Sequence, residues 1–270
     1  MIGKGKSFGA ITVVSALASG KGCALGIDLP LEVEIELERG KFERKSFVDF
    51  CIEEVFNYFN VSYKPNIRID SKIPVARGLK SSSALANALI FATLNALGES
   101  LDDEEILKIN VRASRRSGVS ITGALDDASA CLFGGLVFTD NKKDEILKRK
   151  KFEENLKCVL YIPKEESPTK NLIPKLKYIQ KYSNILNSIF SLAFRGEVFE
   201  AMTLNGLTYS PILGFSCDKI LKAISAGAKA SSLSGTGSAV AALISKKCLK
   251  DVVSAWEKNV MVVDVRRGCT

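Results

Sequence analysis

The sequence predicts an α/β fold, and three observations carry that reading. Strand-like and helix-like periodicities follow one another along the chain. Hydrophobic residues make up 46%, ample for a core. A loop rich in glycine and serine stands between a β-leaning run and a long apolar helix pattern. A chain of 270 residues suits one large domain or two small ones sharing a cleft.

The elements follow in order. Ser7 to Ala16 reads as a strand through Phe8, Ile11, Val13 and Val14. Gly20-Lys21-Gly22 interrupts it, and Ala24 to Ile27 resumes. Leu31 to Leu37 alternates strictly, which gives a half-buried strand with a solvated face of Glu32, Glu34 and Glu36. Ser46 to Phe59 has a helical apolar face, and Pro65 to Ile73 leans to β. Leu85 to Leu97 is apolar almost all round, as a central buried helix would be, and Gly98 ends it. Ser100-Leu101-Asp102-Asp103 opens a helix that runs to Ser117, and Leu136 to Thr139 is a strand. Asn141 to Lys151 is a charged hairpin or linker, and the division into 1–143 and 144–270 is placed there. The second half predicts a strand at 158–162, helices near 174–194, 196–208, 216–226 and 247–258, and a closing strand at 260–265.

Composition excludes several function classes. Histidine is absent, so Ser-His-Asp and Cys-His catalysis is ruled out, and proton transfer falls to Asp, Glu, Lys, Tyr or Cys. The seven cysteines are dispersed without C-x-x-C spacing, which argues against zinc and fits buried thiols in a reducing cytosol. No 18-residue uncharged apolar run or signal-peptide core stands out, so no membrane partner and a cytoplasmic location are expected. The formal net charge of +8 is spread over scattered lysines without interleaved aromatics. That pattern suits a lysine-rich surface or an anionic small substrate, and no nucleic-acid partner is expected.

Four places hold residue types that carry chemistry. Pro74-Val75-Ala76-Arg77-Gly78-Leu79-Lys80-Ser81-Ser82-Ser83-Ala84 puts a glycine, a lysine and three hydroxyls at a helix N-terminus. Free backbone N–H groups and the helix dipole attract phosphate there. The stretch reads either as an anion site or as a serine-capped helix after a turn. Arg112, Arg115 and Arg116 cluster on one side of a helix end, either complementing its dipole or clamping a carboxylate or phosphate. Asp126 and Asp127 enter a small, apolar stretch as an N-cap pair or as functional carboxylates, and position favours the cap. Ser234-Gly235-Thr236-Gly237-Ser238 is a second small-residue loop, which alone is no more than a hairpin turn.

Together the P-x-x-x-G-L-x-S-S-S-A run, the D-x7-G-G spacing from Asp126 to Gly134-Gly135, and the late S-G-T-G-S loop resemble the GHMP kinases in order and spacing. Lys80 stands where most members have glycine, and the Leu-Lys-Ser-Ser-Ser variant is similar to the archaeal shikimate-kinase branch. The resemblance implies a GHMP-kinase-like two-domain, two-layer α+β fold with a nucleotide cleft between the domains. It implies transfer of the ATP γ-phosphate to the 3-hydroxyl of shikimate, with ATP and Mg²⁺ bound. Gly78, Leu79, Lys80, Ser81, Ser82 and Ser83 would wrap the ATP phosphates, and Ser82 would ligate Mg²⁺. Asp126 would accept the proton of the attacking hydroxyl, with Asp127 as the alternative one register on. Lys21 would lie beside that aspartate, and Gly235, Thr236 and Gly237 would line the same cleft. Thr169 and Lys170 fall near substrate by the same likeness, or cap a helix. Several members carry a Mg²⁺-binding glutamate ten or eleven residues before the aspartate, where this chain has Arg115 and Arg116. Those arginines are therefore assigned to phosphate or to the substrate carboxylate. Within the same superfamily, homoserine, pantoate and mevalonate-type acceptors are the alternatives. A non-enzymatic nucleotide or nucleic-acid binder is the rival from another class.

Overall fold

The computed structural model describes residues 1–43, 46–165, 167, 172 and 174–268. Two antiparallel sheets organise them. The first half runs β1 (Ile2–Val14), β2 (Lys21–Glu38), α1 (Phe47–Phe59), β3 (Lys64–Ser71), α2 (Ser81–Leu97), α3 (Asp103–Arg116), α4 (Leu125–Phe133), β4 (Leu136–Asp140) and β5 (Glu145–Lys150). The order in the first sheet is β1-β2-β4-β5, and β3 pairs with the far half of β2. The second half runs β6 (Leu156–Tyr161), α5 (Leu176–Gln180), α6 (Ser183–Arg195), α7 (Val198–Leu213), α8 (Asp218–Ser225), β7 (Ala230–Leu233), β8 (Val240–Ser245), α9 (Leu249–Trp256) and β9 (Val260–Asp264). Its sheet has the order β7-β8-β6-β9. Among the described residues no helix is long and apolar enough to cross a membrane.

β2 shows why alternation predicts a strand. Leu31, Val33, Ile35 and Leu37 are buried, while Glu32, Glu34 and Glu36 face out. Cross-strand register sets Lys6 opposite Glu32 and Lys4 opposite Glu34, and the ammonium groups reach the carboxylates at 2.7 and 3.0 Å. These pairs hold both glutamates below the ordinary carboxylate value. The glutamates thus serve the solvent face of the sheet.

β1 is longer than expected because its first turns carry glycine instead of an apolar face. A Cβ on Gly3 would collide with the Ala92 carbonyl oxygen, and one on Gly5 with that of Ala88. Helix α2 lies backbone-close on the strand, with Ala84, Ala88, Ala92 and Ala96 at four-residue spacing as its contact stripe. β2 is not interrupted at Gly22. A Cβ there would meet the Asp126 carboxylate, and one on Gly26 would stand 2.7 Å from the Gly134 Cα. Both glycines lie inside the strand because α4 and the turn after it press on them.

Two expectations of organisation are corrected. The division at 143 would cut the β4–β5 hairpin, whose second strand stays in the first sheet to Lys150. The C-terminal segment also returns to that sheet. Val265 bridges Ile27, Arg266 donates its N–H to the Gly26 carbonyl at 3.1 Å, and Phe152 donates to the Arg267 carbonyl at 2.8 Å. The helix expected over 174–194 is broken at Lys181-Tyr182 into α5 and α6.

The α2–β1 contact yields a prediction. Gly5→Ala forces helix and sheet apart and costs about 3 kcal/mol or more. Gly98→Ala, at a helix end with φ +74° and open space around the added methyl, costs only about 1 kcal/mol. Denaturant unfolding of the two variants checks the ranking, and equal losses would contradict it.

Candidate active site

A cleft of about 410 Å³ opens where the N-terminus of α2, the start of α4, the end of β1 and the β7–β8 turn converge. Its floor is made by two loops in backbone contact. Gly78 sits at φ +79°, and a Cβ there would collide with the Ser234 carbonyl oxygen. Ser234 Oγ donates to the Gly78 carbonyl at 2.7 Å, and Ala239 N–H donates to the Arg77 carbonyl at 3.0 Å. Thr12 ties both loops to β1: its Oγ1 accepts from Gly235 N–H at 2.8 Å and from Lys80 Nζ at 2.7 Å.

Helix α2 begins at this floor. Its first intrahelical bond runs from Ala84 N–H to the Lys80 carbonyl, so the N–H groups of Ser81, Ser82 and Ser83 lie ahead of the ladder. Ser81 and Ser82 line the cleft. Ser83 is buried and its carbonyl accepts from Asn110, and Leu79 belongs to the core. Lys80 is the N-cap residue, with φ +67° in the left-handed region that glycine adopts freely. Its Nζ stands 2.8 Å from Asp127 Oδ1.

The two aspartates occupy the first turn of α4, after Ala124 in the cap position, so they are not an N-cap pair. Asp126 is 5% exposed and accepts from Asn141 Nδ2 at 2.8 Å. Asn141 is itself held. Thr139 Oγ1 donates to its Oδ1 at 2.7 Å, and Arg115 Nη2 donates to its carbonyl at 3.1 Å. Burial, helped by the Asp127 charge, pushes Asp126 up to about 6, while Lys80, Asn141 and the Asp127 N–H oppose the rise. A carboxylate with that value, at the wall of a cleft, is suited to accept a proton near neutral pH.

Several expected site residues are placed elsewhere. Lys21 is exposed and its ammonium lies over the Phe190 ring, 5.9 Å from the centroid. Strand alternation turns Gly22 toward Asp126 and so turns Lys21 to the opposite face. Arg112 and Arg116 leave the cleft for α1. Arg112 Nε donates to Glu54 Oε2 at 3.0 Å, and Arg116 bonds Glu54 and reaches Glu53 at 2.9 Å. Arg115 forms a bidentate pair with Asp144 at 2.6 and 2.7 Å and supports the carbonyls of Thr122 and Asn141. None of the three is among the described residues that line the cleft, so the structure does not bring them together there as a clamp. Gly235 and Thr236 line the cleft, while a Cβ on Gly237 would face the Phe215 ring at 2.6 Å. Thr169 and Lys170 lie outside the described residues. Thr12 belongs to the Gly9-Ala10-Ile11-Thr12 stretch of the family likeness, but Ser15 and Asn141 carry no motif; each sits at a strand end, where its role depends on residues far along the chain.

Residues 46–135 match the GHMP kinases N terminal domain. The shikimate kinase of Methanosarcina acetivorans is 40% identical over 263 residues, covering 93% of this chain and 88% of that protein. The shikimate kinase of Pyrococcus furiosus is 40% identical over 254 residues, covering 90% and 92%. Among solved structures, the Methanococcus jannaschii mevalonate kinase shares the fold with a TM-score of 0.79 at 18% identity, over 100% of this chain and 98% of that one. Homoserine kinase from Cytophaga hutchinsonii gives 0.76 at 20% identity, over 98% and 96%. The chain therefore belongs to the GHMP kinases, enzymes of ATP-dependent phosphoryl transfer to small molecules. Within that superfamily it stands with the archaeal shikimate kinases, at identities of 34% to 41%.

The arginine placement is testable. Arg116→Ala leaves Glu54, 7% exposed, with its Arg112 bond but without the Arg116 one, and lowers stability by about 1 kcal/mol. KM for nucleotide and acceptor stays within about twofold, because the residue acts between helices α1 and α3. A large rise in acceptor KM with unchanged stability would return Arg116 to the cleft.

Proposed function

We propose that this enzyme phosphorylates the 3-hydroxyl of shikimate with Mg-ATP. Full-length similarity to several archaeal shikimate kinases carries the substrate assignment. The physical support is the facing pair of groups in one cleft: open N–H groups at the start of α2 and the buried Asp126 carboxylate. Phosphoryl transfer asks a protein mainly for positioning and charge stabilisation. The N–H groups of Ser81 and Ser82 and the α2 dipole suit the nucleotide phosphates, and the Gly78–Gly235 floor leaves backbone exposed for close approach. Asp126, fixed by Asn141, orients the acceptor hydroxyl and takes its proton.

The donors present fit Mg²⁺ held largely by the nucleotide. Among the described residues no group of three acidic or thiol side chains forms a cage, and Ser82 lines the cleft at the start of α2. Magnesium bound through one protein oxygen and the phosphates is a usual arrangement, and it would neutralise charge on the transferring group. Six described cysteines are free thiols, which suits a cytoplasmic enzyme.

A coupled ADP-release assay with shikimate, homoserine, pantoate and mevalonate tests the assignment. Turnover with shikimate is expected. Turnover with another acceptor instead would keep the phosphotransfer chemistry and reject the substrate.

Asp126 makes two further outcomes measurable. Asp126→Asn lowers kcat by about 10²–10⁴-fold and leaves nucleotide affinity nearly unchanged. In the parent enzyme kcat/KM falls as pH drops through about 6, where the carboxylate takes up its proton. The stability sign is the reverse. The folded value of about 6 lies above the ordinary 3.8, so this group's stabilisation is complete below the lower value and is lost as pH rises through the upper one. Asp126→Asn is therefore more stable than its parent at about pH 7.5, on the order of 2 kcal/mol, and the gap closes below about pH 4. Unchanged turnover in the variant would remove Asp126 from the mechanism.

A further inference from the structure

Among the described residues that line the cleft, Lys80 is the one cation, set against the carboxylates of Asp126 and Asp127. A pocket with two negative charges and one positive is poorly matched to an anionic nucleotide unless the cation faces the ligand. Three observations bear on what Lys80 does. First, its side chain is 5% exposed, so burial makes each unused donor costly. Second, an ammonium carries three N–H donors; Thr12 Oγ1 at 2.7 Å takes one, and Asp127 Oδ1 lies 2.8 Å away as an ion-pair partner with no aligned hydrogen bond. Third, a Cβ on Gly235 would stand 3.2 Å from Nζ, so any side chain at 235 would crowd the ammonium where it meets the cleft. The backbone at 80 is also left-handed, a conformation that costs a lysine about 1 kcal/mol. A surface-type lysine has no reason to be held there.

We infer that Lys80 is a catalytic residue with an N–H, not spent on Thr12, that binds a non-bridging oxygen of the transferring phosphoryl group, and that Asp127 is the positioning residue that holds its ammonium in place by charge. The inference rests on the kinase reading above. In the step itself the acceptor hydroxyl oxygen bonds to the γ-phosphorus as the bond from that phosphorus to the β–γ bridging oxygen breaks, and ADP leaves. The hydroxyl proton passes to Asp126, and Lys80 keeps all of its protons. A fixed cation in a water-poor site is worth more to the developing charge than the same cation in solvent. Lys80 and the α2 N-terminus thus approach the phosphoryl oxygens from one end, opposite the Asp126 carboxylate that serves the hydroxyl.

The test uses the full chain and four variants. Lys80→Gly suits the left-handed backbone and removes the ammonium. Asp127→Ala removes its partner. The double variant Lys80→Gly/Asp127→Ala removes both members of the pair together. Lys80→Met repeats the comparison if the glycine variant does not fold. Lys80→Gly is expected to lower kcat by about 10²–10³-fold. The double variant is expected to regain thermal stability and to stay as slow. Asp127→Ala is expected to lower kcat about tenfold with KM for ATP within about threefold, the split of a group acting through another. Recovery of kcat to within about threefold of the parent in the double variant would overturn the inference, since the pair would then be structural. Failure of the kinase reading is separable. If the parent turns over no acceptor, calorimetric affinities for ATP and ADP still report on the third phosphate. Lys80→Gly is expected to erase the preference for ATP over ADP, and an unchanged ratio would overturn the assignment.

Discussion

The structure depends on two loops approaching each other with nothing but backbone between them. Gly78 and Ser234 meet so closely that no side chain fits at 78, and Ser234 closes the join with a 2.7 Å bond to the Gly78 carbonyl. One loop precedes the helix with the open N–H groups, and the other turns between two strands of the second sheet. Their contact joins the halves of the chain and forms the floor of the cleft at once. Thr12 extends the join into β1, so a single hydroxyl oxygen links a strand, a loop and a buried ammonium. Anything that parts the two loops dismantles the site together with the interface.

Charge is arranged differently at the rim and in the cleft. On the sheet's outer face Lys4, Lys6, Glu32 and Glu34 pair in solvent, where such contacts contribute little. In the cleft Asp126 and Asp127 are held against their own repulsion, and burial raises Asp126 by an amount that folding must offset elsewhere. The apolar packing of α2 on β1 and β2 is the natural source of that offset. Destabilising carboxylates kept in a cavity wall mark a group retained for chemistry.

Much of the first half was legible from local pattern. Strict alternation marked the far half of β2, and an all-round apolar run capped by Gly98 marked α2. The glycine-serine loop and the spacing from Asp126 to Gly134-Gly135 marked places that the structure brings to one cleft. What pattern missed lies in contacts between distant positions. Arg112 and Arg116 read as free cations because Glu53 and Glu54 lie about sixty residues earlier, on a helix whose packing against α3 sequence does not reveal. Lys21 follows motif position, but its side chain obeys strand alternation, and the adjacent glycine takes the inward face. Asn141 sits at the start of a charged stretch that looks like any linker, and its role exists only through Asp126, Thr139 and Arg115.

The glycines of β1 have a consequence for how a ligand is received. With Gly3 and Gly5 under α2, no layer of side chains separates helix from strand, so there is little soft material to shear or compress between them. The open N–H groups at the front of α2 and the Thr12 hydroxyl at the end of β1 therefore ride on one stiff block. An arriving anion meets donors already oriented when the chain folded, and little of its binding free energy is lost to ordering them.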